Sequence, residues 1–179
     1  MHCTLQDGLI DELAELPNLR YLQVGLPRED EIPSFRPLQQ ITTLVVKCNK
    51  HQSNLKFLNG LNNLRSLCIS EAMGITKLTP LGKLSGLCEL YIDGAISGRN
   101  TIQTLAPLGK LFDLRYALLL LRVEQRNRTL RHLHSLSKLT FLHLSDDYSE
   151  QDYDNLLAAV PRLKQIRFNA GGRWPREAT

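Results

Sequence analysis

The sequence predicts an α/β solenoid of about seven coils, with a parallel sheet on one face and short helices or 3₁₀ turns on the other. Three observations predict it. Thirty-six of the 179 residues are leucine, about one in five. The leucines follow one template, L-x-x-L-x-x-L-x-Φ, where Φ is a large apolar residue. The template recurs seven times, with Ile41, Ala117, Val160 and Ile166 at leucine positions, starting at residues 16, 38, 61, 84, 111, 136 and 160, at intervals of 22 to 27 residues. Self-similarity at that period marks solenoids and arrays, whose units bury their apolar side only by stacking.

The elements follow in chain order. Leu5, Leu9, Ile10, Leu13 and Leu16 have helical spacing, so residues 5–16 read as a return helix capping the first coil. The first two copies end on Leu22-x-Val24 and Leu44-x-Val46, the next two on Leu67-x-Ile69 and Leu90-x-Ile92. The last two end on Leu142-x-Leu144 and Ile166-x-Phe168. A spacing of two puts both side chains on one face of a strand. Upstream the apolar positions lie three apart, as in Leu78, Leu81, Leu84 and Leu87, which suits 3₁₀ turns. Pro80 and Pro107 fit the first turn of two return segments, where a missing N–H costs little. The fifth copy is degraded: Ala117 replaces a large residue and Leu118 to Leu121 follow, so its register could slip by one. Asp152 to Ala159 predict a C-terminal helix ended by Pro161.

Composition bounds the function classes. Hydrophobic residues at 42% and charged residues at 22% describe a globular chain able to bury a core without disulfides or metal. No run approaches the roughly 18 apolar residues of a membrane span. Met1 is followed by His2, Cys3 and Thr4, without a basic segment and apolar run, so the expected location is the cytoplasm. The expected organisation is one domain over 1–170 and a tail over 171–179, with Trp174 folding back over the last coil.

The quoted residues resemble the leucine-rich repeat family, most of all its bacterial internalin type and its phosphatase-regulator type, from about Leu5 to Phe168. The resemblance implies a right-handed solenoid with its strands on the concave side, and a non-catalytic module that binds another macromolecule there. The family motif continues into an asparagine that bonds the loop backbone between coils. Here only Asn49 fills that slot; Pro27, Ala72, Ala95, Arg122, Asp147 and Gly171 stand elsewhere, so the loops after the strands should be less regular.

Residues flanking the buried strand positions point outward, and these are the candidate partner-binding residues. They are Tyr21 and Gln23; Val45 and Lys47; Cys68 and Ser70; Glu89, Tyr91 and Asp93; Tyr116, Leu118 and Leu120; Phe141 and His143; Arg167 and Asn169. Gly25, Thr43, Ser66, Ser145 and Gln165 share that face. Tyr91, Tyr116, Leu118, Leu120 and Phe141 cluster, as in binding hot spots. Seven strands about 4.8 Å apart, each exposing about 13 Å of chain, offer roughly 400 Å² in projection. A standard interface needs about 800 Å² per partner. The loops at 25–37 and 93–104 are therefore expected to contribute.

Other motifs point away from catalysis. A net charge of +4 permits nucleic-acid binding, but the arginines at 122, 126, 128 and 131 lack interleaved aromatics. Asp146, Asp147, Glu150, Asp152 and Asp154 read as a solvated acidic loop. Cys3, Cys48, Cys68 and Cys88 contain no C-x-x-C pair and are expected reduced. His132 and His134 lack further ligands at metal spacing. Gly82-Lys83 and Gly109-Lys110 precede Leu, unlike a phosphate loop. No cofactor, metal, membrane, nucleic acid or small-molecule substrate is expected, and no enzymatic activity.

The leading reading is a bacterial protein-binding module with a protein partner, in its sharpest form an inhibitor or immunity protein. The alternatives are a self-associating structural solenoid and the recognition fragment of a larger receptor or effector. Oligomeric state stays open, with a monomer favoured.

Overall fold

The computed structural model describes residues 3–5, 8–28, 32–94, 101–145 and 148–168, with side chains 3, 4, 165, 167 and 168 left undescribed. Each repeat contributes one strand, and the strands align in one parallel sheet. They are β1 (Cys3–Thr4), β2 (Tyr21–Gly25), β3 (Thr43–Lys47), β4 (Ser66–Ser70) and β5 (Glu89–Asp93). After β6 (Thr101–Ile102) come β7 (Tyr116–Leu120), β8 (Arg122–Val123), β9 (Phe141–Leu144) and β10 (Gln165–Phe168). The main sheet runs β1-β2-β3-β4-β5-β7-β9-β10, and β6 pairs with β8 in a second, two-stranded sheet. Neighbours in sequence are neighbours in space, so each coil contacts only the coils beside it.

Register fixes which face is buried. Leu22, Leu44, Leu67, Leu90, Ala117, Leu142 and Ile166 form one ladder of directly opposed residues. Val24, Val46, Ile69, Ile92, Leu119, Leu144 and Phe168 form a second. From Leu44 to Ile166 the first ladder is buried, Ala117 included. The fifth strand therefore keeps its register. A one-residue slip would turn Tyr116 and Leu118 into the core and Leu119 out of it.

The layer behind the sheet consists of 3₁₀ turns at Lys56–Leu58, Thr79–Lys83, Ala106–Lys110, Gln125–Asn127 and Arg131–Leu133. Pro80 and Pro107 sit in the first positions of their turns, as the sequence predicts. Successive turns stack, so Leu78, Leu81, Leu84 and Leu87 and their counterparts fill one continuous core. Phe35 and Phe57 add an aromatic pair to it, ring centroids 5.3 Å apart.

Five features depart from the sequence reading. The N-terminal helix, α1, covers only Leu9–Ala14, because Gly8 before it is left-handed at φ 84 and Pro17 follows it. The chain ahead of α1 supplies β1, an eighth strand, pairing Cys3 with Val24 and Thr4 with Gly25. Leu16, a template position, is 49% exposed at this end of the stack. At the other end α2 spans Glu150–Ala159, two residues longer than predicted, since Ser149 caps it by accepting from the Asp152 N–H at 3.1 Å. Glu150, Asp152 and Asp154 thus lie on a helix rather than in a loop. Asp146, Asp147, Trp174 and the whole 171–179 tail fall outside the described residues.

The thinned asparagine ladder is replaced piecemeal. Asn49 does bond the preceding coil, its Nδ2 donating to Pro27 O at 2.6 Å, while its Oδ1 accepts from His51 N. Elsewhere backbone bonds connect adjacent coils, from Ala72 N to Asp93 O (2.8 Å) and from Gly94 N to Leu120 O (3.0 Å). Ser145 Oγ donates to Leu121 O, and Asn127 Nδ2 to Gln103 O. The β6–β8 pair ties the longer fourth and fifth coils further. These bonds answer the need of loop carbonyls and amides for partners.

Candidate functional site

The side of the sheet away from the 3₁₀ turns carries three rows of side chains, because alternate residues of every strand point there. The first row runs Tyr21, Thr43, Ser66, Glu89, Tyr116 and Phe141 in direct register. The second runs Gln23, Val45, Cys68, Tyr91, Leu118 and His143. The third holds Gly25, Lys47, Ser70, Asp93, Leu120 and Ser145. The predicted residues whose side chains are described thus lie together on one face. Tyr21, Gln23, Lys47, Glu89 and Tyr116 are exposed. Val45, Cys68, Ser70, Tyr91, Asp93, Leu118, Leu120, Phe141 and His143 are half-buried. Arg167 joins the sheet by its backbone opposite His143, and Asn169 lies outside the described residues. Of the two flanking loops, 29–31 and 95–100 also lie outside them.

The face is not uniform. Its β2–β3 end is polar, with Tyr21 donating to Gln23 Oε1 and Lys47 paired with Glu71 at 2.9 Å. Its middle is apolar and aromatic. The Tyr116 and Phe141 rings lie 6.2 Å apart at 34°, within the range of favourable aromatic pairs. Tyr91 lies on the neighbouring strand, opposite Leu118. With Ser66, Cys68 and Glu89 these rings line a shallow cleft of about 370 Å³. Tyr116 is 53% exposed. An acidic group, Glu89, borders the rings and accepts from Ser66 Oγ at 2.9 Å. The Ser66–Glu89 bond was not singled out in the sequence, although the 23-residue offset between the two positions predicts it once register is known.

Electrostatics sorts the thiols. Burial, and then the Glu71 carboxylate, push the Cys48 thiol up from 9.0 to about 12. Cys68, on the open face, is raised by burial first and Asp93 second. The Tyr91 phenol is raised as well, by burial, then Asp93, then Cys68. Since the thiolate is the reactive form, iodoacetamide at pH 8 is expected to label Cys68 well ahead of Cys48 in the native chain. Cys48 should react only once the chain unfolds. Peptide mass spectrometry over time checks this, and equal native labelling of both would contradict it.

Among the described residues no group of three or more His, Cys, Asp or Glu is placed to hold a metal ion. No helix among them is long and apolar enough to cross a membrane. The face is thus an open surface that is apolar and aromatic in its middle and polar at its β2–β3 end.

Comparisons with known proteins agree in fold. The chain is similar to internalin C2 from Listeria monocytogenes strain 4b F2365, with 27% identity, a TM-score of 0.55, and coverage of 89% of this chain and 68% of that one. A leucine-rich-repeat protein of Leptospira interrogans matches at 22% identity and a TM-score of 0.58, over 88% of this chain and 39% of its own. The leucine-rich-repeat domain of the type III effector XopL matches at 18% and 0.51, over 96% of this chain and 54% of its own. This chain thus spans about half or less of the last two. No family model and no curated protein sequence matches it.

Proposed function

We propose that this chain, which is a leucine-rich-repeat protein, is a non-catalytic module that binds a protein partner on the open face of its sheet. Leucine-rich-repeat proteins serve in general as interaction modules. The observation that carries the reading here is the aromatic cluster of Tyr91, Tyr116 and Phe141, with Tyr116 exposed and the other two half-buried, outside a core that is closed without it. The exposed surface of such rings adds little to the monomer beyond their mutual pairing, whereas burying it at an interface contributes strongly to affinity. The face is small against a standard interface of about 800 Å² per partner, so the partner is expected to reach the loops beyond the strands too.

The test uses a double substitution. Tyr91→Ala with Phe141→Ala is expected to weaken partner binding at least about 100-fold, the combined size of two hot spots. Tyr21→Ala, at the polar end of the same face, is expected to change it less than about threefold, as ordinary interface positions do. Pull-down with mass spectrometry identifies the partner, and titration calorimetry measures each variant. Circular dichroism verifies that the variants keep their fold. Undiminished binding by the double variant would end this reading.

A further inference from the structure

The cleft in the middle of the face contains one group that an apolar partner could not cover. Glu89 lies in register between Ser66 and Tyr116, and it points to the same side as the rings of Tyr91, Tyr116 and Phe141. Its carboxylate has one donor among the described residues, the Ser66 hydroxyl, and no salt bridge there reaches it. Lys47, two strands away, holds Glu71 at 2.9 Å, and Arg65, next to Ser66 in the chain, donates to Gly86 O at 2.9 Å. Asp93 adds negative charge farther along the same strand, on the same face.

Docking must strip water from that carboxylate. A single neutral hydroxyl cannot replace the lost hydration of a charge. A purely apolar ligand seated on the rings would therefore bury an uncompensated anion. A cation removes the conflict and gains from the rings as well, since an ammonium or guanidinium over an aromatic face is attracted by its quadrupole. Long basic side chains suit a cleft of this kind, with an apolar stem for the rings and a charged head for the carboxylate.

We infer that the cleft around Glu89 receives an arginine or lysine side chain of the partner protein, its stem lying against Tyr91, Tyr116 and Phe141 and its head on the Glu89 carboxylate. The occupant belongs to a protein rather than to a free small amine, because the cleft is shallow and open and would leave a small molecule mostly in water. This inference rests on the binding-face reading above and specifies its chemistry.

A panning experiment separates the two. Random twelve-residue peptides displayed on phage are selected on the full chain, and enriched peptides are synthesised and measured by fluorescence polarisation. Enriched peptides are expected to carry a basic residue beside apolar ones. Replacing that arginine by neutral citrulline should cost about tenfold in affinity on the native chain. On Glu89→Gln it should cost little, the signature of a direct pair. Peptides without any basic residue that still lose binding to Tyr116→Ala would overturn the cation and keep the binding face. Peptides held equally well by the native chain and by the Tyr91→Ala, Phe141→Ala variant would overturn both. Light scattering that shows a concentration-dependent dimer abolished by Glu89→Gln would make the occupant a second copy of this chain and overturn the proposal of a different partner.

Discussion

Leu67→Ala is expected to lower the unfolding free energy by about 3 kcal/mol, the middle of the range for buried leucines. Leu67 is 1% exposed and stands in the central ladder, opposed by Leu44 on one side and Leu90 on the other. In a stack where each coil touches only its neighbours, such a cavity weakens two coil interfaces at once. The surroundings are poorly able to close it, because 3₁₀ turns and strands hold both neighbours in place. For a chain of this size the loss corresponds to a drop of roughly 9 °C in Tm. Leu16→Ala is the control. A template leucine too, though at the first position of its copy rather than the seventh, it is 49% exposed at the end of the stack, so its truncation should cost under about 0.5 kcal/mol. Urea unfolding followed by circular dichroism checks both. Similar losses for the two would mean that the template, rather than burial, sets the energetics.

That contrast also shows what a repeat makes legible. Strands at 21–25, 43–47, 66–70, 89–93 and 116–120 follow from the period-two endings of the copies, and the structure places strands on these residues. A stacked repeat turns sequence offset into spatial neighbourhood, so the cross-strand partners of Glu89, Ser66 and Tyr116, are also legible in outline. Even the degraded fifth copy keeps its place. Ala117 is held opposite Leu90 and Leu142, and the flanking ladders outweigh one missing side chain.

The rest was hidden for physical reasons. β1 has two residues, too few for any period to show. β6 and β8 lie in the stretched 27- and 25-residue copies, and their pairing depends on where two loops meet rather than on an apolar pattern. The shortened α1 turns on a single left-handed glycine, Gly8. The candidate site was half legible: outward positions follow from alternation, whereas the Tyr116–Phe141 ring geometry and the Ser66–Glu89 bond need coordinates.

Gly109→Ala is expected to destabilise the chain by about 2 to 3 kcal/mol, although it adds one methyl group to a residue outside the strands. A Cβ at Gly109 would lie 2.3 Å from His132 O, a backbone atom of the next 3₁₀ turn. No rotamer change relieves a clash with backbone. The coils must separate, and the bond from Ser135 Oγ to Gly109 O at 2.7 Å lengthens with them. Gly82, its counterpart one repeat earlier, has 3.0 Å to Pro107 O, so the same glycine in two nearly identical segments serves the spacing of coils rather than any phosphate. Gly25→Ala, with nothing within 4 Å of its Cβ, should stay within about 0.5 kcal/mol of the native chain. Coil spacing behind the sheet also sets strand spacing in front of it. Gly109 belongs to the coil that carries β7, and His132 to the one that carries β9, so wedging them apart acts on the Tyr116–Phe141 pair. Partner affinity should fall along with stability in Gly109→Ala and hold in Gly25→Ala. Loss of stability with full affinity would show that the rings on the open face are positioned independently of the turns behind them.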